Sequence, residues 1–152
     1  MTIGVISDTH GLLRPEAVAA LQGSEHIIHP GDIGDLAVLD KLREIAPVTA
    51  IRGNVDRGPW ATQIPQTDVL ELGGIKIYII HNLEELDLKP EAAGFDAVIY
   101  GHTHVPKREM KNGVLFFNPG SAGPKRFRLP VTFGRLGVHS GKLETEIIEL
   151  VK

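Results

Sequence analysis

The stretch Ile3-Gly4-Val5-Ile6-Ser7-Asp8-Thr9-His10 sets the pattern of the chain: a short apolar run that stops at polar, metal-competent side chains. The same design returns four times. His26-Ile27-Ile28-His29 leads into Pro30-Gly31-Asp32, and Val48-Thr49-Ala50-Ile51-Arg52 leads into Gly53-Asn54. Ile75 to Ile80 stops at His81, and Ala97-Val98-Ile99-Tyr100 runs into Gly101-His102-Thr103-His104. Apolar runs this short, closed by glycine or polar residues, predict buried strands. Groups just past the carboxyl ends of strands in an α/β sheet share one crevice, where ligands bind. These strand ends therefore carry Asp, His and Asn to one place, as a metal site requires.

Between the strands, helical periodicity is visible over Pro15 to Leu21, where proline suits a first turn, and over Gly34 to Ala46, which Pro47 stops. A weaker helical pattern covers Glu84 to Ala93. Strand and helix alternate in the first half, which favours parallel βαβ units. After Asp96 the texture changes to closely spaced strand runs, Val98-Tyr100, Val105-Met110, Val114-Asn118, Val131-Val138 and Leu143-Leu150. Asn112-Gly113 and Ser140-Gly141 are hairpin turn signals between them. The expectation is an α/β fold with α+β texture in its second half: two sheets face to face, helices outside. No repeat or linker divides the chain, so residues 1–152 are read as a single domain.

Composition excludes several functions. The chain has 152 residues, 42% hydrophobic and 23% charged, ordinary for a soluble globular protein. A formal net charge of -3 gives no electrostatic reason for nucleic acid or an anionic membrane as partner, and 5% aromatics leave little material for base stacking. With no cysteine, disulfides, thiolate nucleophiles and sulfur-ligated zinc are ruled out. Met1-Thr2 enters the first apolar run without a charged leader, and no apolar stretch approaches the length of a membrane span. A cytoplasmic location is expected, and the oligomeric state, a homo-oligomer included, stays open.

Taken singly, most of the polar segments have bland readings. Asp8-x-His10 also describes a helix cap beside a surface histidine, Gly31-Asp32 a cap, Gly53-Asn54 a turn, and His81 a hydrogen-bonded structural histidine. Gly101-His102-Thr103-His104 is more specific, because two histidines at i, i+2 after a buried strand can grip one ion or bridge two. Together, Asp8, His10, Asp32, Asn54, His81, His102 and His104 offer carboxylate, imidazole and amide oxygen without sulfur. That set suits Mn, Fe, Ni, Co or Zn. Seven donors exceed one tetrahedral shell and suit two ions roughly 3.5–4 Å apart.

The ordered set Asp8-x-His10, Gly31-Asp32, Gly53-Asn54, His81, Gly101-His102-x-His104 resembles the calcineurin-like metallophosphoesterase superfamily. Asn118-Pro119-Gly120-Ser121 resembles its small, single-domain phosphodiesterase branch, which also contains a eukaryotic retromer scaffold subunit. The resemblance spans residues 3 to about 126 and implies a four-layer α/β/β/α sandwich of two mixed sheets. It implies a first ion on Asp8, His10, Asp32 and His104, and a second on Asp32, Asn54, His81 and His102, with Asp32 bridging. It further implies that a metal-bound hydroxide attacks a small phosphate ester in line. Two divalent ions are the expected cofactor, manganese ahead of iron, nickel, cobalt or zinc.

Two departures stand out. Many family phosphatases carry Gly-Asn-His at the third motif, the histidine acting on the leaving group; here Val55 takes its place, leaving Asp56 without the ring it would orient. Small members lacking this histidine act mainly on diesters, so a phosphodiesterase is expected. His81-Asn82 replaces the usual His-Gly, and Asn is read as the residue that tolerates a positive φ there. Asp35 falls where protein phosphatases of the superfamily continue to an arginine, which this chain lacks. Lys125, Arg126 and Arg128 form the dense basic stretch; Arg126, with Asn54, is the candidate for the substrate phosphate. His29, three residues before Asp32, is a candidate support beneath the site. The competing function is a protein-interaction scaffold that keeps the fold and a vestigial site.

Overall fold

Alternation in the first apolar run already separates two faces. Ile3 and Val5 point into one core, while Gly4 faces the other way, where a Cβ would overlap Leu21. The computed structural model describes residues 1–151. In chain order it contains β1 (Thr2–Val5), α1 (Pro15–Leu21), β2 (His26–His29), α2 (Leu36–Arg43), β3 (Val48–Ala50), β4 (Thr67–Leu72) and β5 (Ile75–Ile80). Then follow β6 (Ala97–Ile99), β7 (Lys107–Lys111), β8 (Val114–Asn118), β9 (Val131–His139) and β10 (Lys142–Val151).

The strands make two five-stranded mixed sheets, ordered β10-β9-β1-β2-β3 and β4-β5-β6-β8-β7. Within the first, β1, β2 and β3 run parallel; within the second, β5, β6 and β8 do. The sheets pack face to face on Ile3, Val5, Ile28, Ile51, Ile77, Ile79, Ile99, Phe117 and Leu136. The outer face of the first sheet is covered by α1 and α2 through Ala17, Leu21, Val38, Leu39 and Leu42. Asp35 caps α2, its carboxylate accepting from the Ala37 N–H at 3.0 Å, so α2 starts after Gly34 rather than at it.

The structure differs from the expected pattern at three points. The second half pairs mostly antiparallel, as expected, in β7-β8 and β9-β10, but it is divided between the sheets: β9 returns to pair with β1, β10 pairs with β9, and β6 and β8 pair in parallel. Residues 84–93 are not a helix. A 3-10 turn at Leu83–Glu85 and further turns cover Ile80, Val98, Tyr100 and Phe116, so the outer layer on the second sheet is thin. Pro90 interrupts that segment, where it would remove a helical hydrogen bond and clash with the preceding turn, and Gly94 follows with a φ of 82°. β4 is an additional strand; its burial alternates, and the Gly73-Gly74 turn, with φ of 60° and 82°, joins it to β5 as a hairpin. No helix is long and apolar enough to cross a membrane.

Candidate metal centre

The parallel strands of both sheets end on the same side, so their loops meet. From the first sheet, the turn after β1 brings Asp8 and His10, the turn after β2 brings Asp32, and the segment after β3 brings Asn54. The second sheet brings His81 directly after β5, and His102 and His104 after β6. The donors fall into two groups, Asp8, His10 and His104 in one and Asp32, His81 and His102 in the other. Within each group the donor atoms lie within 4.8 Å of one another.

Asp32 lies between the groups. Its Oδ2 is 3.7 Å from His10 Nε2 and 3.2 Å from His81 Nε2, while Oδ1 accepts from the Val55 N–H at 3.1 Å. Asn54 Oδ1 is 3.0 Å from His81 Nε2 and 3.2 Å from His102 Nδ1. The Nε2 atoms of His10 and His104 approach to 3.3 Å. Asp8 Oδ2 accepts from the Ser7 hydroxyl at 2.7 Å and the His102 N–H at 3.2 Å. Its other oxygen, Oδ1, is buried without a hydrogen-bond partner, 3.6 Å from His104 Nε2 and 4.0 Å from His81 Nε2. A buried carboxylate oxygen left bare among imidazole nitrogens fits a cation, since it otherwise carries its desolvation cost uncompensated.

The ligand loops are held from below. Burial keeps His29 neutral and pulls it down to about 3. Its Nδ1 accepts from the Gly31 N–H at 3.2 Å, so Nε2–H faces Thr9 Oγ1 at 3.0 Å, and the Thr9 hydroxyl donates to the Ile33 carbonyl at 2.9 Å. The second-motif and first-motif loops are thus pinned to each other. The Asp56 carboxylate accepts from the N–H groups of Ile33, Gly34 and Gly53 at 3.1, 2.8 and 2.8 Å. Asp56 therefore joins two ligand loops and does not await a missing ring. Asn118, fully buried, donates to the Gly101 carbonyl and Thr103 Oγ1 and accepts from the Gly120 N–H, while the Ser121 hydroxyl donates to the Asp8 carbonyl. His81 Nδ1–H donates to the Pro30 carbonyl at 2.7 Å, which leaves Nε2 directed at Asp32 and Asn54. A side chain at Gly53 would occupy the Asp32 carboxylate's place, which requires glycine.

Backbone conformation is unusual here. Asp8, His10, Asp32, His102 and His104 all have positive φ, between 47° and 73°. Asn82 does not; its φ is -107°, and its side chain caps the following 3-10 turn by accepting from the Glu84 N–H. The expected geometric reason for Asn82 is thereby replaced by a capping one.

Electrostatics match the crowding. Burial lifts Asp8 to about 7, against the lowering pull of His81. Burial also pushes Asp32 up, but the His81 hydrogen bond and charge outweigh it and hold Asp32 at about 2. His81 is raised, burial being overcome by Asp32. His104 is lowered to about 4 by burial, then by the charges of Arg126 and His10; His10 is lowered as well, by burial first and with Arg126 contributing. Arg126 is exposed yet electrostatically close to both histidines. His26 instead pairs with Thr49 away from the site.

The comparisons agree with this geometry. Residues 1–141 match the calcineurin-like phosphoesterase superfamily domain. The chain belongs to that superfamily. It is 36% identical to the "Probable metallophosphoesterase" of Methanocaldococcus jannaschii, over 99% of this chain and 82% of the relative. It is similar to the solved structure of an archaeal phosphodiesterase, with 28% identity, a TM-score of 0.80 and coverage of 97% and 100% of the two chains. At 23% identity, Vps29 of Entamoeba histolytica, solved in complex with Zn, shares the fold with a TM-score of 0.76 over 99% of this chain and 100% of that one. The protein is a metal-dependent phosphoesterase, and the two mixed sheets with few helices are the α/β sandwich of this superfamily. Of the supports in this phosphoesterase, Ser7 and Thr9 carry no motif of their own, and only their nearness in sequence to Asp8 hinted at them, whereas Asn118 opens the Asn118-Pro119-Gly120-Ser121 segment and Asp56 follows Gly53-Asn54-Val55.

Proposed function

We propose that this phosphoesterase is a dinuclear-metal phosphodiesterase, with Asp8, His10, Asp32 and His104 holding one ion and Asp32, Asn54, His81 and His102 the other. The observation that carries the reading is the position of Asp32 Oδ2, within 3.7 Å of His10 Nε2 and 3.2 Å of His81 Nε2. A bridging carboxylate needs that reach. Divalent ions, manganese first, would acidify a water and offset phosphate charge. The remaining work falls to the chain. Asn54, facing a metal through Oδ1, keeps its amide donors for a phosphate oxygen. Arg126 supplies a guanidinium fork to the phosphate from the side of His10 and His104. Val55 is aliphatic and cannot protonate a leaving alkoxide, which directs the enzyme to diesters with acidic leaving groups. We place the activity in the cytoplasm on a small phosphate ester.

A scaffold of the same fold is the second reading, favoured by the likeness to Vps29. The complete donor set and the unpartnered Asp8 Oδ1 speak against a vestigial site. The test is metal analysis of protein stripped and reloaded with Mn, alongside turnover of bis(p-nitrophenyl) phosphate. Two ions per chain and metal-dependent turnover are expected, with Asp32→Ala losing metal from both positions. Saturation at one ion, or Asp32→Ala retaining both, would overturn the assignment.

A further inference from the structure

A cleft of about 530 Å³ is lined in part by Asn54, His81 and His102, and Arg126 does not line it. Resting on the phosphodiesterase reading, we infer that this cleft is the subsite for one alcohol arm of the diester and that it selects arms bearing a further phosphate. The volume is that of a ligand pocket for a nucleotide-sized group, far more than a nitrophenyl ring fills. The lining includes Arg52, Arg57 and Gln66. Arg52 follows β3 after Ile51; its backbone N–H donates to the Pro65 carbonyl at 2.7 Å, and it stands two residues before Asn54. Arg52 Nε is buried with no hydrogen-bond partner. Among the described residues, neither Arg52 nor Arg57 has a carboxylate within 4.0 Å.

Two guanidiniums lining a cleft, neither paired with a carboxylate, are a fork for phosphate oxygens. A scissile phosphate held at the metals by Asn54 reaches the cleft through its ester oxygen, so the second phosphate sits one sugar-length away. The same lining also carries Glu85, Asp87 and Tyr78. The two carboxylates repel an anion and suit hydroxyl or amino donors. The arm is therefore amphoteric in its recognition: phosphate toward the arginines, hydrogen-bond donors toward the acids. A nucleotide with phosphate at both ends of its sugar meets both demands.

The experiment compares two chromogenic diesters on the metal-loaded full chain: thymidine 5′-(p-nitrophenyl phosphate) and the same molecule with a 3′-phosphate. The scissile bond is identical. We expect roughly tenfold higher kcat/KM for the 3′-phosphorylated diester, carried by KM and shrinking as salt rises. Arg57→Gln and Arg52→Gln should each cut that ratio severalfold; the ratio cancels any effect on turnover common to both substrates. Arg57 is exposed, so if Arg52→Gln fails to fold, Arg57→Gln decides. Equal kcat/KM in the parent, with both diesters hydrolysed, overturns the subsite and leaves the phosphodiesterase reading standing. If neither diester is hydrolysed, that reading fails, and calorimetric titration with thymidine 3′,5′-bisphosphate and thymidine 5′-monophosphate decides the cleft. A preference for the bisphosphate that Arg57→Gln removes supports the subsite; equal affinities overturn it.

Discussion

Left-handed backbone at Asp8, His10, Asp32, His102 and His104 is strain concentrated on the residues proposed to hold metal. Asp and His are among the few L residues enriched in that conformation, so ligand choice and loop shape agree. Asp8 shows what the arrangement costs without a cation. Metal-free, it binds its proton near 7 in the folded protein against 3.8 in the unfolded chain. The folded state then holds more protons between those values and loses stability as pH rises through them. Asp8→Asn removes the charge and keeps a residue suited to positive φ. Metal-stripped Asp8→Asn should unfold at pH 8 with stability higher by about 1–3 kcal/mol than the metal-stripped parent, and should lose turnover. A lower melting temperature for the stripped variant would contradict this. Val55 gives a second test, because its side chain is 44% exposed and a larger ring fits without displacing core. Val55→His should raise monoester over diester turnover, within the 10²–10⁴-fold scale of general-acid help; an unchanged ratio in a well-folded, metal-loaded variant counts against the histidine's role. The convergence of the seven proposed donors was legible because each sits just past a strand end. Asp56 was legible only as a remnant, since a carboxylate serving backbone N–H groups has no sequence signature beyond its type.

Loops that follow the parallel strands carry the site, and side chains that accept from several loops at once brace them. Asp56 is the clearest case, tying Ile33 and Gly34 after β2 to Gly53 after β3. Asp56→Ala leaves three donors without that acceptor and should destabilise the protein by roughly 2–4 kcal/mol, read as a fall in denaturant midpoint. It should also weaken metal binding, because Asp32 and Asn54 lie on the two loops it joins. A variant with the parent's midpoint would assign the bracing elsewhere. At this scale the sequence was informative wherever burial was one-sided or complete. β1, β2, β5 and β6 announce themselves as apolar runs, and Asn112-Gly113 and Ser140-Gly141 as turns with positive φ at both positions. β4 escaped notice because it lies at a sheet edge, half-buried, with Asp68 and Glu71 among its six residues. Residues 84–93 misled for the opposite reason. Apolar spacing over three turns satisfies a helical pattern, yet Leu83 and Leu86 pack on the sheet from an irregular cover. That β1, β2 and β3 share a parallel sheet followed from the strand and helix alternation, but the return of β9 to β1 was not legible, because more than a hundred residues separate the two.

Seen as a whole, the molecule closes its two sheets differently at their two ends. Away from the site, Ile75, Leu136 and Val138 belong to the apolar interface between the sheets. At the site end the facing groups are polar: Asp8, His10, Asp32 and Asn54 from one sheet, His81, His102 and His104 from the other. Bound cations would join them, and a ligand that binds only the native state adds stability by mass action. Chelation should therefore lower the melting temperature and raise hydrogen exchange at Ile6, Tyr100 and Gly101 more than at Ile3 or Ile77; uniform exchange across the strands would refute it. A metal clasp of this kind is kept by selection for folding as well as for catalysis. Descendants that abandon hydrolysis would thus shed the groups that meet only substrate before they shed the donors. In this fold, Arg52, Arg57 and Arg126 should record the loss of an enzymatic living earlier than any aspartate or histidine of the centre.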